Sequence, residues 1–331
     1  MTYSKSGVNI DMEELAIKNL NKWVRKTFNF REGKVGQVME DTGLYANVID
    51  MGEFALAICM DGVGSKVLVA QELDKFDTIG IDLVAMNVND VICLGAEPLA
   101  MVDYLAFKKV DPTLAREIAI GIYEGAKIAG IAVVGGETAT LPEIICGVEG
   151  NGFDLAGTSV GIVKKEDIIT GKKISPGDVV LGLESSGIHS NGLTLARKVL
   201  PKTMWTKLLT PTRIYVKEVL ELTRKFSIHG LAHITGGGLL NLDRLTKYGF
   251  YLDRIPEEEM IFKKIQELGN VSDEEMYKTF NMGVGFCVIV DEADAGEINK
   301  VYGREFEIQE IGHVTEEPGV RIMKEDKVIS L

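Results

Sequence analysis

Apolar and polar positions follow two periods along the chain. Short apolar runs at Phe54–Cys59, Leu99–Phe107, Ile131–Val134, Asp154–Val163, Val179–Leu183, Gly230–Ile234 and Phe286–Val290 have strand length and are bounded by turn-forming or polar residues. Between them lie helical patterns. Asp11–Thr27 carries Met12, Leu15, Ala16, Leu20 and Val24 near helical spacing, with Asp11 placed to cap. Asp77–Gly95 reads as a mostly apolar, deeply buried helix ended by glycine. Asp111 and Pro112 open a third helix, with Leu114, Ile118, Ile122 and Ala126 on its apolar face and Gly130 at its end. Thr210-Pro211 predicts another through Phe226, Asp291–Gly303 looks helical, and the C-terminus alternates as a hairpin. Phe28–Gly52 is polar and glycine-dotted, which predicts a loop with a short strand, placed to lie over a ligand. Lys164–Asp178, charged and holding Gly171, Pro176 and Gly177, divides the chain into domains 1–165 and 166–331. Strands alternating with helices make each half an α/β unit, a mixed sheet with helices over one face.

Against this apolar background the polar interruptions stand out. The first strand exits into Met60-Asp61-Gly62-Val63-Gly64-Ser65-Lys66, an acid, two glycines, a hydroxyl and a lysine together. That set suits a nucleotide phosphate with Mg²⁺, and it suits a tight turn equally well. In the buried helix, Asp82 and Asn89 lie within about 20° of one face, and Asp90 about 80° round from Asp82. Buried carboxylates each cost several kcal/mol unless paired, so either a hydrogen-bonded network or a divalent cation is expected there. Asp103 interrupts the next strand, and Gly135-Gly136-Glu137-Thr138 repeats the pattern of an acid beside glycines at an expected strand end. In the second half, Ser185–Gly192 gathers hydroxyls, His189 and glycines before a helix, and Thr235-Gly236-Gly237-Gly238 follows a strand. Either loop suits a phosphate; a cap and a satisfied loop histidine account for the first as well. The acids fall in the first half and the phosphate-like loops in the second.

Bulk composition narrows the class. Of 331 residues, 36 are basic and 49 acidic, and the net charge of -13 disfavours electrostatic capture of nucleic acid or an anionic membrane. The four cysteines are widely spaced without a C-x-x-C pair, which predicts buried free thiols in a reducing compartment. No run is long enough to span a bilayer and no leader-like apolar segment opens the chain, so a cytoplasmic protein is expected.

Eight motifs in order, Asp61-Gly-Val-Gly-Ser-Lys66, Gly80–Asp90, Gly95-Ala-Glu-Pro98, Gly135–Ala139, Asp154–Gly157, Ser185–Gly192, Pro211–Lys217 and His233–Gly238, resemble phosphoribosylformylglycinamidine cyclo-ligase, the aminoimidazole ribonucleotide (AIR) synthetase family. The resemblance implies a two-domain fold and a homodimer whose N-terminal sheets join into a barrel. It also implies ATP-dependent closure of formylglycinamidine ribonucleotide to AIR, with Mg²⁺. By the same resemblance Asp61, Asp82, Asp90 and Glu137 are metal and ATP-site acids. Gly62, Gly64, Ser65, Lys66, Asn89, Gly135, Gly136 and Thr138 contact the nucleotide. Asp61 and Asp103 serve the reaction, Asp103 near the amidine, and His189 is a proton carrier. Ser190, Asn191, Gly192, Thr235, Gly236 and Gly237 hold the substrate's ribose phosphate. The chain departs from the pattern at Thr140, where the family has glutamate, and in its glycine-poor N-terminal loop. A small-molecule kinase of the same superfamily, or a silent nucleotide-binding subunit, is the alternative.

Overall fold

The computed structural model describes residues 10–39, 45–148 and 152–331. Residues 40–44 of the glycine-dotted segment, and the side chain of Asp11 with its expected cap, fall outside that description. The first half builds a five-stranded sheet from β1 (Asn47–Asp50), β2 (Phe54–Gly62), β3 (Glu97–Phe107), β4 (Ala132–Thr140) and β5 (Phe153–Lys164), in the order β1-β2-β5-β3-β4. Only β3 and β4 run parallel, because a helix links them; the other neighbours are antiparallel. Helices α1 (Ile10–Val24), α2 (Lys66–Leu73), α3 (Ile79–Ile92) and α4 (Pro112–Ala129) complete this half.

The start and stop signals of α4 act as expected. Asp111 accepts hydrogen bonds from the N–H groups of Thr113 and Leu114 at 2.8 and 3.4 Å, and Gly130 takes φ +72° to end the helix. Glycines also let α3 and α4 pack backbone to backbone. A Cβ on Gly80 would stand 2.1 Å from the Ile122 nitrogen, and one on Gly121 2.7 Å from the Asp77 carbonyl. Any larger residue at either position would push the two helices apart.

The second half forms a seven-stranded sheet in the order β12-β11-β8-β10-β6-β9-β7. Its strands are β6 (Val179–Glu184), β7 (Gly230–His233), β8 (Gly249–Leu252), β9 (Val284–Val290), β10 (Ile308–Thr315), β11 (Val320–Lys324) and β12 (Lys327–Ser330). Its helices are α5 (Leu193–Val199), α6 (Val216–Lys225), α7 (Met260–Gly269), α8 (Asp273–Thr279) and α9 (Glu292–Tyr302). One apolar cluster runs from Val63 to Ile322 and so crosses both halves. Among the described residues no helix is long and apolar enough to cross a membrane.

Several elements differ from the sequence pattern. α2, α7 and α8 are helices in stretches that read as loop or polar connection. Gly135–Thr138 sit inside β4 and not at its exit, because hydrogen bonding to β3 carries the strand through both glycines. Residues 211–215 are neither helix nor strand and α6 begins only at Val216, because the backbone groups of Thr212, Arg213 and Tyr215 are taken by side chains of the first half. Tertiary hydrogen bonds outbid the helical ones there.

Candidate active site

Helix α3 distributes its residues over three neighbours by angle alone. Leu83 and Asn87 meet the position of Gly157 on β5, and Val91 meets that of Gly161, so this stripe faces the sheet. Asp82 and Asn89, on a different stripe, face the second half. Met86 and Asp90 fall between the two stripes and line a cavity of about 400 Å³. The other walls of that cavity are Tyr45, Asp61, Gly62, Val63 and Gly64 from the first half, and Ser190, Asn191, Thr235, Gly236 and Arg244 from the second.

Asp61 lies on the last turn of strand before the chain leaves the sheet, and its backbone is clamped. The buried Asn87 amide accepts from Asp61 N–H at 3.1 Å and donates to its carbonyl at 3.2 Å. Burial first, and then the charge of Asp90, lift the Asp61 carboxyl to about 6. Asp90 is held in turn by His233, whose Nδ1 lies 2.8 Å from Asp90 Oδ1. The ring's tautomer follows from its neighbours. Asn89 Oδ1 accepts from Tyr215 N–H at 3.0 Å, which turns the Asn89 Nδ2 toward the Arg213 carbonyl at 2.8 Å and His233 Nε2 at 3.4 Å. With Nε2 accepting, Nδ1 carries the proton and donates to Asp90.

Asp82 has another fate. It is fully buried, and its Oδ1 meets Lys66 Nζ at 2.8 Å, Thr212 N–H at 2.8 Å, Thr212 Oγ1 at 2.6 Å and Ser190 Oγ at 3.2 Å. Lys66, also fully buried, gives its remaining reach to the Thr210 carbonyl at 2.6 Å, and burial lowers its pKa. Asp82 and Lys66, expected as a metal acid and a phosphate-binding lysine, pair with each other within the first half, and each also bonds the second half, Asp82 through Thr212 and Ser190 and Lys66 through the Thr210 carbonyl. Asn89, expected as a nucleotide contact, bonds Arg213, Tyr215 and His233 of the second half.

Sheet register separates the rest. Asp61, Gly157, Asp103 and Gly136 stand opposite one another across β2, β5, β3 and β4, and so share the face that α3 covers. Asp103 is about 10 Å from Asp61, two strand spacings away. Burial raises its pKa. Glu137 stands in the next row with Tyr104 and Gly62, and points to the opposite, open face. Glu137, Gly135, Gly136 and Thr138, expected at the ATP site, lie on β4 and do not line this cavity.

His189 is also outside the cavity wall. It takes φ +58°, is buried, accepts from Ser186 N–H at 3.2 Å through Nε2, and is held neutral by burial. It supports its loop through Nε2, and its Nδ1 is buried without a hydrogen-bond partner. Ser190 and Asn191 reach the cavity, while Gly192 serves packing, since its φ is +70° and a Cβ there would stand 2.2 Å from Phe280. Thr235 and Gly236 form the facing wall, and Asn241 Nδ2 pins that loop through the carbonyls of Gly236 at 3.0 Å and Gly238 at 2.8 Å. Gly237, at φ +94°, makes the turn between them.

Tyr45, Asn87, Thr212, His233 and Arg244 are the site residues that sequence reasoning missed. Asn87 and His233 were visible inside motifs, and their work depends on contacts across strands and domains. Oxygen donors Asp61 and Asp90 suit a hard divalent cation, which takes one or two carboxylates with phosphates and water. Asp82 Oδ2 is buried without a hydrogen-bond partner, Glu137 stands on the other face of the sheet, and among the described residues no three His, Cys, Asp or Glu side chains converge as ligands.

This architecture is that of the AIR synthase related proteins. Residues 43–163 match the AIR synthase related protein, N-terminal domain, and residues 175–325 the C-terminal domain. The phosphoribosylformylglycinamidine cyclo-ligase of Thermococcus kodakarensis is 54% identical over 97% of this chain and 98% of its own. That of Methanocaldococcus jannaschii is 50% identical over 96% and 93%. The chain belongs to the phosphoribosylformylglycinamidine cyclo-ligase family. Hydrogenase maturation protein HypE in complex with ATP shares the fold at 20% identity, with a TM-score of 0.67 over 83% of this chain and 84% of that one. So does AaThiL complexed with AMPPCP and TMP, at 16% identity and TM-score 0.66 over 94% and 95%.

Proposed function

We propose that the cavity between the two halves is where this ligase carries out the reaction of its family. That reaction is ATP-dependent closure of formylglycinamidine ribonucleotide to AIR, with release of ADP and phosphate, in purine biosynthesis. The observation that carries this assignment is the pairing of Asp61 and Asp90, on the first half, with the Ser190–Asn191 and Thr235–Gly236 loops of the second across one cavity. Acids that seat a nucleotide and loops that seat a phosphorylated substrate face each other there.

The formyl amide oxygen is a poor leaving group, so the γ-phosphoryl is transferred to it, the amidine nitrogen attacks the activated carbon, and phosphate departs. The protein's contribution is to position the reactants and balance their charge. Asp61 and Asp90 would hold Mg²⁺, which when bound neutralises charge on the ATP phosphates. Gly64 and Ser65 bring backbone N–H groups to those phosphates at the start of α2, while the Gly62 N–H is held by Asp61 Oδ1 at 2.7 Å. Asp103, on the same sheet face, is assigned to the amidine, where its raised pKa suits proton exchange. Ser190, Asn191, Thr235 and Gly236 seat the ribonucleotide.

Met60 at 70% exposure, Val102 and Tyr104 leave an apolar strip on the open face of the first sheet, next to exposed Val134 on β4. We assign it to a second copy of the chain, the two sheets closing on each other. Sedimentation should give twice the chain mass, falling to the single mass when Met60 and Val102 become Glu. Cys59, Cys93 and Cys287 are buried free thiols as expected, whereas Cys146 is exposed.

Purified protein mixed with formylglycinamidine ribonucleotide, ATP and Mg²⁺ should yield AIR. ADP without AIR would make it a kinase sibling, and no turnover a nucleotide-binding subunit.

A further inference from the structure

Two of the cavity's lining side chains are acids, yet both molecules it is assigned to receive are anions. Among the described lining residues Arg244 is the one cation. It follows the Thr235–Gly238 loop on the seven-residue tight helix at Gly238–Arg244, about two turns, whose position is fixed by the Asn241 bonds to that loop. Its guanidinium lies 5.4 Å from the centre of the Tyr45 ring. Tyr45 is anchored across the halves by its hydroxyl, which donates to the Asn241 carbonyl at 3.1 Å. A face-on aromatic contact holds an arginine while leaving its N–H donors unspent. A second donor waits in the same wall: Asn191 Nδ2 is buried and has no hydrogen-bond partner, while Asn191 Oδ1 lies beside Gly236, 3.3 Å from where a Cβ would stand. A buried amide donor without an acceptor costs about 1–3 kcal/mol, which an incoming anion recovers.

We propose that Arg244 and Asn191 form the subsite for the 5′-phosphate of the ribonucleotide substrate, with Tyr45 as the positioning residue for Arg244. This deepens the reading given above and rests on it. The choice between the two anions follows from charge. ATP brings its triphosphate to Asp61 and Asp90, where only a metal counter-charge makes the approach favourable. The substrate's phosphate monoester is a dianion with no such metal, so it needs a protein cation, and Arg244 supplies bidentate donors matched to phosphate oxygens.

Arg244 is exposed and at the end of its helix, so Arg244→Gln is expected to fold as the parent does. In steady-state assays its KM for formylglycinamidine ribonucleotide should rise about 10- to 100-fold, with KM for ATP changed less than about twofold. Arg244→Lys should recover part of the loss, as a charge without the fork. Tyr45→Leu should raise the same KM by a smaller factor. Binding of ribose 5-phosphate, followed by calorimetry, reads the subsite without turnover: the parent should bind it and Arg244→Gln should not. A rise in KM for ATP with the ribonucleotide KM unchanged would move Arg244 to the nucleotide. Equal ribose 5-phosphate binding by parent and variant would remove the subsite altogether. If the parent makes no AIR yet binds ribose 5-phosphate through Arg244, the phosphate subsite stands and the assigned reaction fails, so the two readings are separable.

Discussion

Asp82 and Asp90 sit on the same helix, two turns apart, and have opposite uses. Asp82 is sealed, with Lys66, Thr212 and Ser190 around one oxygen. Asp90 is steered by His233 and opens on the cavity beside Asp61. The difference is one of rotation: about 80° round the helix separates a residue pressed against the second half from one at the seam between the halves. A buried carboxylate with a matched lysine is a structural tie, whereas two carboxylates facing one another at a partly open seam are a site waiting for positive charge.

The comparison breaks most readily at Lys66. Lys66→Met leaves Asp82 buried without its counter-charge and should cost about 3–5 kcal/mol in urea unfolding, while Lys66→Met with Asp82→Leu should regain most of that. A single-variant loss below about 1 kcal/mol would mean that Lys66 is not the tie. Asp90→Asn should do the reverse, lowering kcat/KM by about 100-fold with little change in unfolding midpoint. An equal loss of stability would return Asp90 to the structural class with Asp82. Asn89→Ala removes three hydrogen bonds to the second half and should cost about 2 kcal/mol, with KM for ATP unchanged, which separates a strut from a nucleotide contact.

The smallest effect on stability is at Asp61. With its folded pKa raised from 3.8 to about 6, the folded protein keeps a proton that the unfolded chain releases in this window. Metal-free protein should therefore lose stability from this group as pH rises from about 4 to about 6. Asp61→Asn should flatten that fall and gain about 1 kcal/mol at neutral pH, while abolishing turnover. Differential scanning at several pH values without Mg²⁺ would show it; a variant with the same pH slope as the parent would mean that Asp61 is not strained in the metal-free state.

Much of the fold was legible because its signals are local. Asp111, Pro112 and Gly130 bound α4 within a residue, and apolar runs of strand length located β2, β3, β5, β6 and β9. The non-helical stretch at Thr212–Tyr215 was not legible, since what holds it is Asp82 and Asn89 more than a hundred residues away in sequence. Glu137 illustrates a similar limit: one residue of register decides which face of a sheet a side chain takes, and the strand continues through two glycines that read as a turn.

For the site, the sequence by itself determined which chemistry was present: acids in the first half, glycine and hydroxyl loops in the second, and a motif order that marks the family. It could not sort those residues into ties and ligands. That sorting belongs to tertiary structure, because it depends on the packing angle of α3 against two neighbours and on the desolvation that follows. Lys66 shows why most plainly. A lysine beside glycines has the residues of a phosphate loop, and only burial against Asp82 fixes where its charge is spent.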